Sequence, residues 1–459
     1  KRQLLNYIRQ IFCNFAIING QYMKKLILIF TIILSCFAAK AQSIDERIGT
    51  AMNTSDFFGL HDIYYSTPKD SITPFLEVFS RCLIGNRFNR PDISIPAFDE
   101  LLKTQSEMLD LNLLLQSSVM YSMDLSRVGK NEDAYNLLSA VLSSAYQMVD
   151  STSLKPYADM AAQYKSLTQY SPYQISFNGD KGIIPFDTIP TGKQGSQQYL
   201  MQITEARING NPVKITFDTG AGVNVITDSL ARAYGLEFLD ADVAATGVES
   251  SAGRYAIAKE LSLGNIKIND VPFYVIDIRS HNDEADKYID VLEFIVGSEL
   301  MLQLKDVTLD FSAKEIQVPA VAASPSSVRP NMCFSSQMNL VTQAQVNGQP
   351  QMMKLDSGDA GFGRLNKFYF DANKDYLTTN CKSDTVRMAG VGGVWSVLCY
   401  KLPDATLTLG GNSVTVPMLD VQTEQHGNYM EEDNLGIRSM MLFRKVRFNL
   451  VDMILSTEL

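Results

Sequence analysis

The sequence predicts a multidomain fold, α and then β: an N-terminal α-helical domain followed by two all-β lobes related by a pseudo-twofold axis. Three observations carry this. Residues 43–170 place apolar side chains at helical spacing with few strand signals. Beyond them, period-two strands are joined at Asn209-Gly210 and Asn347-Gly348, the composition of two-residue hairpin loops. Finally, the strand K-I-T-F ending at Phe217 runs into Asp218-Thr219-Gly220, and M-K-L ending at Leu355 runs into Asp356-Ser357-Gly358, so one carboxylate-bearing loop occurs twice.

In chain order, 459 residues allow two to three domains. Residues 1–22 read as sequence upstream of the true start, because a leader pattern begins at Met23: Lys24-Lys25, an apolar run from Leu26 to Leu34, and Ala39-Lys40-Ala41 before Gln42. The apolar run is too short to cross a bilayer and the small-residue site suits cleavage, so residues 23–41 predict a signal peptide. The expected protein is exported, periplasmic or secreted, with no stable membrane span. A lipoprotein tethered through Cys36 is the rival, from Ile33-Leu34-Ser35-Cys36. From residue 42 onward 34 basic residues face 50 acidic ones, a formal charge of −16. Nucleic-acid phosphates need Lys and Arg, so this balance argues against a nucleic-acid partner.

Residues 42–170 form the helical domain. Pro96–Leu102 and Glu132–Leu138 both read as helix turns packing on a partner, and each follows a glycine-containing break, Gly85-Asn86 and Gly129-Lys130. These units resemble tetratricopeptide repeats, although Ala97 to Ala134 spans 37 residues rather than about 34. The resemblance implies a protein partner bound through the helical domain; a small bundle that only covers the rest of the chain is the other reading. Residues 171–198 are polar and Gly/Pro-punctuated, a linker with one candidate strand at Gly182–Phe186.

Lobe 1 (199–320) and lobe 2 (331–459) flank a second linker at 321–330, and their surroundings repeat. Leu263-Gly264-Asn265 is answered by Leu409-Gly410-Gly411, and Ile295-Val296-Gly297 by Asn434-Leu435-Gly436. The interval from Asp to that last Gly is 79 residues in lobe 1 and 80 in lobe 2, and each lobe closes on a strand, Val307–Phe311 and Val446–Leu450. One D-[ST]-G tripeptide arises by chance in roughly one chain in five of this length. Two in matching frames indicate an internal duplication.

Asp-Thr-Gly-Ala and Asp-Ser-Gly, each after an apolar strand and each followed by an apolar-apolar-Gly motif, resemble the aspartic peptidases. The lobe size and the continuation A-G-V-N-V-I resemble the retropepsin-like branch, over roughly residues 197–459. The resemblance implies two acid-protease lobes giving Asp218 and Asp356 to one site, hence an aspartic endopeptidase acting on a peptide or protein substrate. It also implies that the Thr219 and Ser357 hydroxyls bind across the lobe junction. A non-catalytic descendant that binds peptides is the second class.

The chemistry explains the residue types. Hydrolysis of a peptide bond without metal or cofactor needs one carboxylate to take a proton from water and a carboxylic acid to give one up. At about 3 Å and an effective dielectric near 20, two carboxylates repel by roughly 5 kcal/mol. That is on the order of 4 pK units, so the pair holds one proton over a wide pH range, and which member holds it stays open. Gly220 and Gly358 let backbone amides approach the carboxylates. The resemblance further implies that the hairpins with small-residue turns, Gly247-Val248 in lobe 1 and Gly390-Val391 with Trp395 in lobe 2, are flaps over substrate. Asp359 departs from the family, which usually has Ala or Ser there; it is either a third carboxylate near the pair or a residue that points to solvent or caps the turn. Cys82, Cys333, Cys381 and Cys399 match no zinc spacing, and Cys381 with Cys399 is the candidate disulfide, with free thiols the alternative. His61, His281 and His426 sit beside no Ser or Cys nucleophile.

Overall fold

The computed structural model of the protein describes residues 42–191, 198–246, 250–277, 294–390, 393–425 and 432–459. The leader pattern of residues 1–41 with Cys36, the turn residues Gly247, Val248 and Val391, and His281 and His426 lie outside these. The chain divides into two compact units, one up to Lys165 and one from Ser166 to Leu459.

The first unit is α-helical. Its helices are α1 (Ile44–Asn53), α2 (Phe57–Ser66), α3 (Pro74–Arg87), α4 (Pro91–Thr104), α5 (Leu111–Arg127), α6 (Asn131–Ala145) and α7 (Ser151–Leu167). From α1 through α6, each helix packs on the next. Their starts follow from the sequence: Ser43 and Glu46 form a reciprocal capping box on α1, Asp56 and Asp110 cap α2 and α5, and Pro occupies the first turn of α3 and α4. Gly85 is no break. It lies within α3, where a Cβ would stand 2.8 Å from the Ser94 Cα, so its lack of a side chain lets α3 and α4 touch. Asp124, fully buried on α5, accepts hydrogen bonds from Ser94 Oγ at 2.6 Å, Asn86 at 3.0 Å and Arg127 at 2.9 Å, tying three helices together.

The second unit is β-rich. In chain order its strands are β1 (Gln174–Phe177), β2 (Lys181–Thr191), β3 (Gln198–Ile208), β4 (Asn211–Phe217), β5 (Val225–Ile226), β6 (Glu237–Thr246), β7 (Ser250–Leu263), β8 (Ile266–Ile276), β9 (Phe294–Val296), β10 (Asp306–Asp310) and β11 (Glu315–Pro319). There follow β12 (Met332–Phe334), β13 (Leu340–Val346), β14 (Gln349–Asp356), β15 (Gly363–Leu365), β16 (Lys382–Gly390), β17 (Gly393–Leu409), β18 (Asn412–Gln422), β19 (Asp433–Gly436), β20 (Lys445–Asn449) and β21 (Ile454–Glu458). Short helices intervene: α8 (Asp228–Ala233), α9 (Ser298–Leu304), α10 (Lys367–Ala372), α11 (Lys374–Asn380) and α12 (Ile437–Met440).

One set of pairings occurs twice. β3–β4, β6–β7 and β7–β8 are antiparallel and β4–β9 and β5–β8 parallel; β13–β14, β16–β17 and β17–β18 are antiparallel and β14–β19 and β15–β18 parallel. Both Asn-Gly turns have positive φ at each residue, Asn209 at 47° and Gly210 at 83°, Asn347 at 50° and Gly348 at 78°, the primed hairpin turn those residues suit. The closing strands β10 and β20 pair antiparallel, with Thr308 opposite Arg447 at the centre of the register.

The stretch read as a linker carries two strands. β2 pairs with β11 through Pro185 and with β3 from Phe186 on. On the edge of the first half away from β11, Ile183 exchanges hydrogen bonds with Asn265, its amide donating to Asn265 Oδ1 at 2.6 Å and its carbonyl accepting the Asn265 amide at 3.2 Å. Cys381 and Cys399 form no disulfide: Asp384 stands opposite Cys399 across β16 and β17, three positions from Cys381, and Cys82, Cys333, Cys381 and Cys399 are all free thiols. Among the described residues no helix is long and apolar enough to cross a membrane, and no three His, Cys, Asp or Glu side chains group so as to hold a metal.

Candidate active site

The two D-[ST]-G loops meet. β4 hands the chain to Asp218, whose amide donates to the Val296 carbonyl at 3.0 Å, and β14 ends in Asp356 beside Gly436 of β19. Behind the aspartates, the hydroxyl residues bind each other's loops reciprocally. The Thr219 amide donates to Ser357 Oγ at 2.9 Å and the Ser357 amide to Thr219 Oγ1 at 3.0 Å. Thr219 Oγ1 in turn donates to the Leu355 carbonyl at 2.7 Å, and Ser357 Oγ to that of Phe217 at 2.6 Å. Both side chains are buried, so water cannot replace these bonds.

This clamp sets the carboxyls side by side, both within reach of the Gly358 amide. Asp218 Oδ1 accepts from the amides of Gly220 at 2.8 Å, Ala221 at 3.2 Å and Gly358 at 3.2 Å; Asp356 Oδ1 accepts from Gly358 at 3.0 Å and Asp359 at 3.1 Å. The Gly358 amide thus touches both acids. A Cβ on Gly220 would overlap the Asp356 carboxyl, and one on Gly358 the Asp218 carboxyl. Further back, a Cβ on Gly297 would stand 2.6 Å from the Val223 carbonyl oxygen and one on Gly436 2.8 Å from that of Asp359, which accounts for the glycine ending Ile295-Val296-Gly297 and Asn434-Leu435-Gly436.

The surroundings of the two acids differ. On β14, Lys354 lies two residues before Asp356, on the same face of the strand, and its Nζ is 3.2 Å from Asp356 Oδ2. The corresponding place before Asp218 is Thr216, buried and uncharged. Burial pushes Asp218 up to about 7, reinforced by the charge of Asp356. Burial pushes Asp356 the same way, but the Lys354 ammonium, helped by Arg364, outweighs it and holds that carboxyl below the usual range. Lys354 stays charged, since the Asp356 carboxylate more than offsets its burial.

Asp359 does not face solvent as a spare charge. Its Oδ2 accepts from Asn434 Nδ2 at 2.7 Å and lies 3.4 Å from Arg364 NH1, while Oδ1 takes the Gly361 amide at 3.0 Å. Burial raises its carboxyl, against the pull of Arg364. On the other loop Asn224 does the bracing. Its Oδ1 accepts from the Gly297 amide at 3.0 Å, and its Nδ2 donates to the Tyr173 hydroxyl at 2.9 Å and the Pro272 carbonyl at 3.2 Å. The half-buried Glu299 carboxyl on α9 is pushed up to about 7 by burial.

Of the hairpin residues, Gly390 pairs with Gly393 at the end of β16 and β17, and Trp395, opposite Met388, is half-buried on the hairpin rather than in the core. Lys354, Arg364, Asn434, Asn224 and Tyr173 were not anticipated from sequence. Only Lys354 left a signal there, because period-two alternation from Asp356 puts it on the same strand face.

Residues 204–297 match the family model described as "Aspartyl protease". The matched segment contains Asp218, Thr219, Gly220 and Gly297 and ends before Asp356. The chain therefore carries an aspartyl protease-like domain, which supports peptidase chemistry and a peptide or protein substrate. No curated protein matches the chain.

Proposed function

We propose that this protein is a single-chain aspartic endopeptidase of retropepsin-like type, with Asp218 and Asp356 as its catalytic dyad. The observation that carries the reading is the meeting of the two carboxyls on one amide, that of Gly358, held there by the reciprocal Thr219–Ser357 clamp. In the reaction, the ionised carboxylate takes a proton from a water molecule whose oxygen attacks the peptide carbonyl carbon. The protonated partner gives its proton to the carbonyl oxygen. Collapse of the resulting gem-diol breaks the C–N bond as a proton passes to the leaving nitrogen, returning one proton to the pair. No metal or cofactor enters this cycle.

The duplicated, pseudo-twofold arrangement belongs to the same proposal. It is supported by the strand pairings that occur twice and by β10 and β20, where Thr308 pairs with Arg447. Those two residues are as far apart in sequence as Gly297 and Gly436. The paired hairpins β6–β7 and β16–β17 are the proposed flaps. Export is proposed from the Met23–Ala41 pattern, and its test is N-terminal sequencing of the cell-envelope and culture fractions for a chain starting at Gln42. A tetratricopeptide-like docking role for the helical unit is tested by co-purification of a defined partner with the full-length chain.

The function is tested by incubating the purified chain from Gln42 onward with a mixed peptide library between pH 4 and pH 8 and reading products by mass spectrometry. Internal cleavage with new free termini is expected. An intact library across the whole range contradicts the reading and leaves a peptide-binding protein built on the same loops.

A further inference from the structure

We infer that Lys354 is a positioning residue that fixes where the dyad keeps its proton, making Asp356 the base that activates water and Asp218 the acid. The inference rests on the peptidase reading above and deepens it. Each carboxyl accepts amides of its own loop and each loop is clamped by the other's hydroxyl, with the Gly358 amide reaching both acids, so the amides alone set the two acids only slightly apart. The full charge that separates them is one ammonium, placed on Asp356.

Several observations converge on Lys354. Its Nζ reaches Asp356 Oδ2 at 3.2 Å, whereas the Asp356 Oδ1 is taken by the Gly358 and Asp359 amides. The cation therefore sits on one oxygen of one acid and leaves the inner oxygens to the amides. Lys354 is three-quarters buried and Asp356 more so, so solvent screens the pair weakly. On the Asp218 side, the matching strand position is Thr216, which carries no charge to compete.

The other charged groups around the loops do not reverse this. Arg364 on β15 adds a second positive charge toward Asp356 while bound to Asp359, whose carboxyl is also held by Asn434. Asp433 on β19 has its carboxyl on the Asn366 amide at 2.7 Å, and Arg438 of α12 stacks on the Phe362 ring at 3.8 Å. A cation beside a carboxylate lowers the pKa of the pair, so both limbs of the activity profile should lie at lower pH than an unassisted dyad would give.

The test is the pH profile of kcat/KM for wild type, Lys354→Thr and Lys354→Arg. Threonine reproduces the residue at the matching place in the other loop, and arginine keeps the charge. Lys354→Thr should move both limbs to higher pH by about 1–3 units, and Lys354→Arg should restore the wild-type profile. Thermal melts confirm that each variant is folded.

A Lys354→Thr profile that superposes on wild type, with activity intact, overturns the inference and leaves the peptidase reading standing. Wild-type protein that cuts nothing removes the peptidase reading instead. A second readout needs neither activity nor a foldable variant: carboxyl carbon NMR of the 13C-aspartate-labelled wild-type chain. Asp356 should titrate below the ordinary carboxylate range and Asp218 well above it; the reverse order overturns the assignment.

Discussion

Replacing Ser357 by alanine tests the clamp that brings the two acids together. The Ser357 hydroxyl accepts from the Thr219 amide at 2.9 Å and donates to the Phe217 carbonyl at 2.6 Å, with the side chain fully buried. Its loss strands a buried donor and deprives a buried acceptor, at about 1–3 kcal/mol each, so relaxation leaves a cost of about 2–4 kcal/mol. For a unit of this size that lowers the melting temperature by about 3–6 °C. Scanning calorimetry of the full chain reads this in the transition of the β-rich unit. Thr219→Ala should cost a similar amount, and the double variant less than the two together, because both hydroxyls serve one reciprocal set of bonds. A Ser357→Ala shift below about 1 °C, or strictly additive losses, would refute a cooperative clamp.

Gly220→Ala and Gly358→Ala place a methyl against the opposite carboxyl, so each should abolish cleavage in a protein whose circular dichroism is unchanged; cleavage at the wild-type rate would falsify the close approach. Stability should fall with pH between about 4 and 7, because Asp218, Glu299 and Asp433 are all pushed up to about 7 by burial. An acid whose folded pKa is raised stabilises the fold fully only below its unfolded value, and that contribution disappears as pH climbs through the folded value. Asp356 and Asp310, held low, act in the opposite sense and only at more acid pH. A melting temperature of the β-rich unit that rises from pH 5 to pH 8 would contradict this. In the helical unit, Asp124→Ala removes the acceptor shared by Ser94, Asn86 and Arg127, and urea unfolding of the full chain should show a loss of about 3–5 kcal/mol in that unit's transition.

Features set by local covalent chemistry were readable in advance. Asn209-Gly210 and Asn347-Gly348 announce their hairpins because few residue pairs accept positive φ twice in succession. The D-[ST]-G loops were visible because a carboxylate approached by amides needs glycine beside it. What depended on distant partners was hidden. The strands at 174–191 looked like linker because their Gly and Pro content mimics a loop, and only the pairing of β1 with β8 and of β2 with β11 and β3 makes them sheet. Gly85 looked like a turn until Ser94 of the next helix was seen against it. A Cys381–Cys399 bridge looked plausible until the register of β16 and β17 set Asp384 opposite Cys399. Asp359 could not be placed because its partners, Asn434 and Arg364, come from separate strands. Lys354 was in plain view beside the second motif, and strand alternation alone directs it toward Asp356.

Two acids acting as one catalytic unit fail together when either is neutralised. Mass-spectrometric quantification of new peptide termini should therefore compare wild type with Asp218→Asn and Asp356→Asn, all shown to be folded by their melting curves. Cleavage by wild type and none by either variant is the expected result. Cleavage by both variants at the wild-type rate would mean that the paired carboxyls do not carry the chemistry.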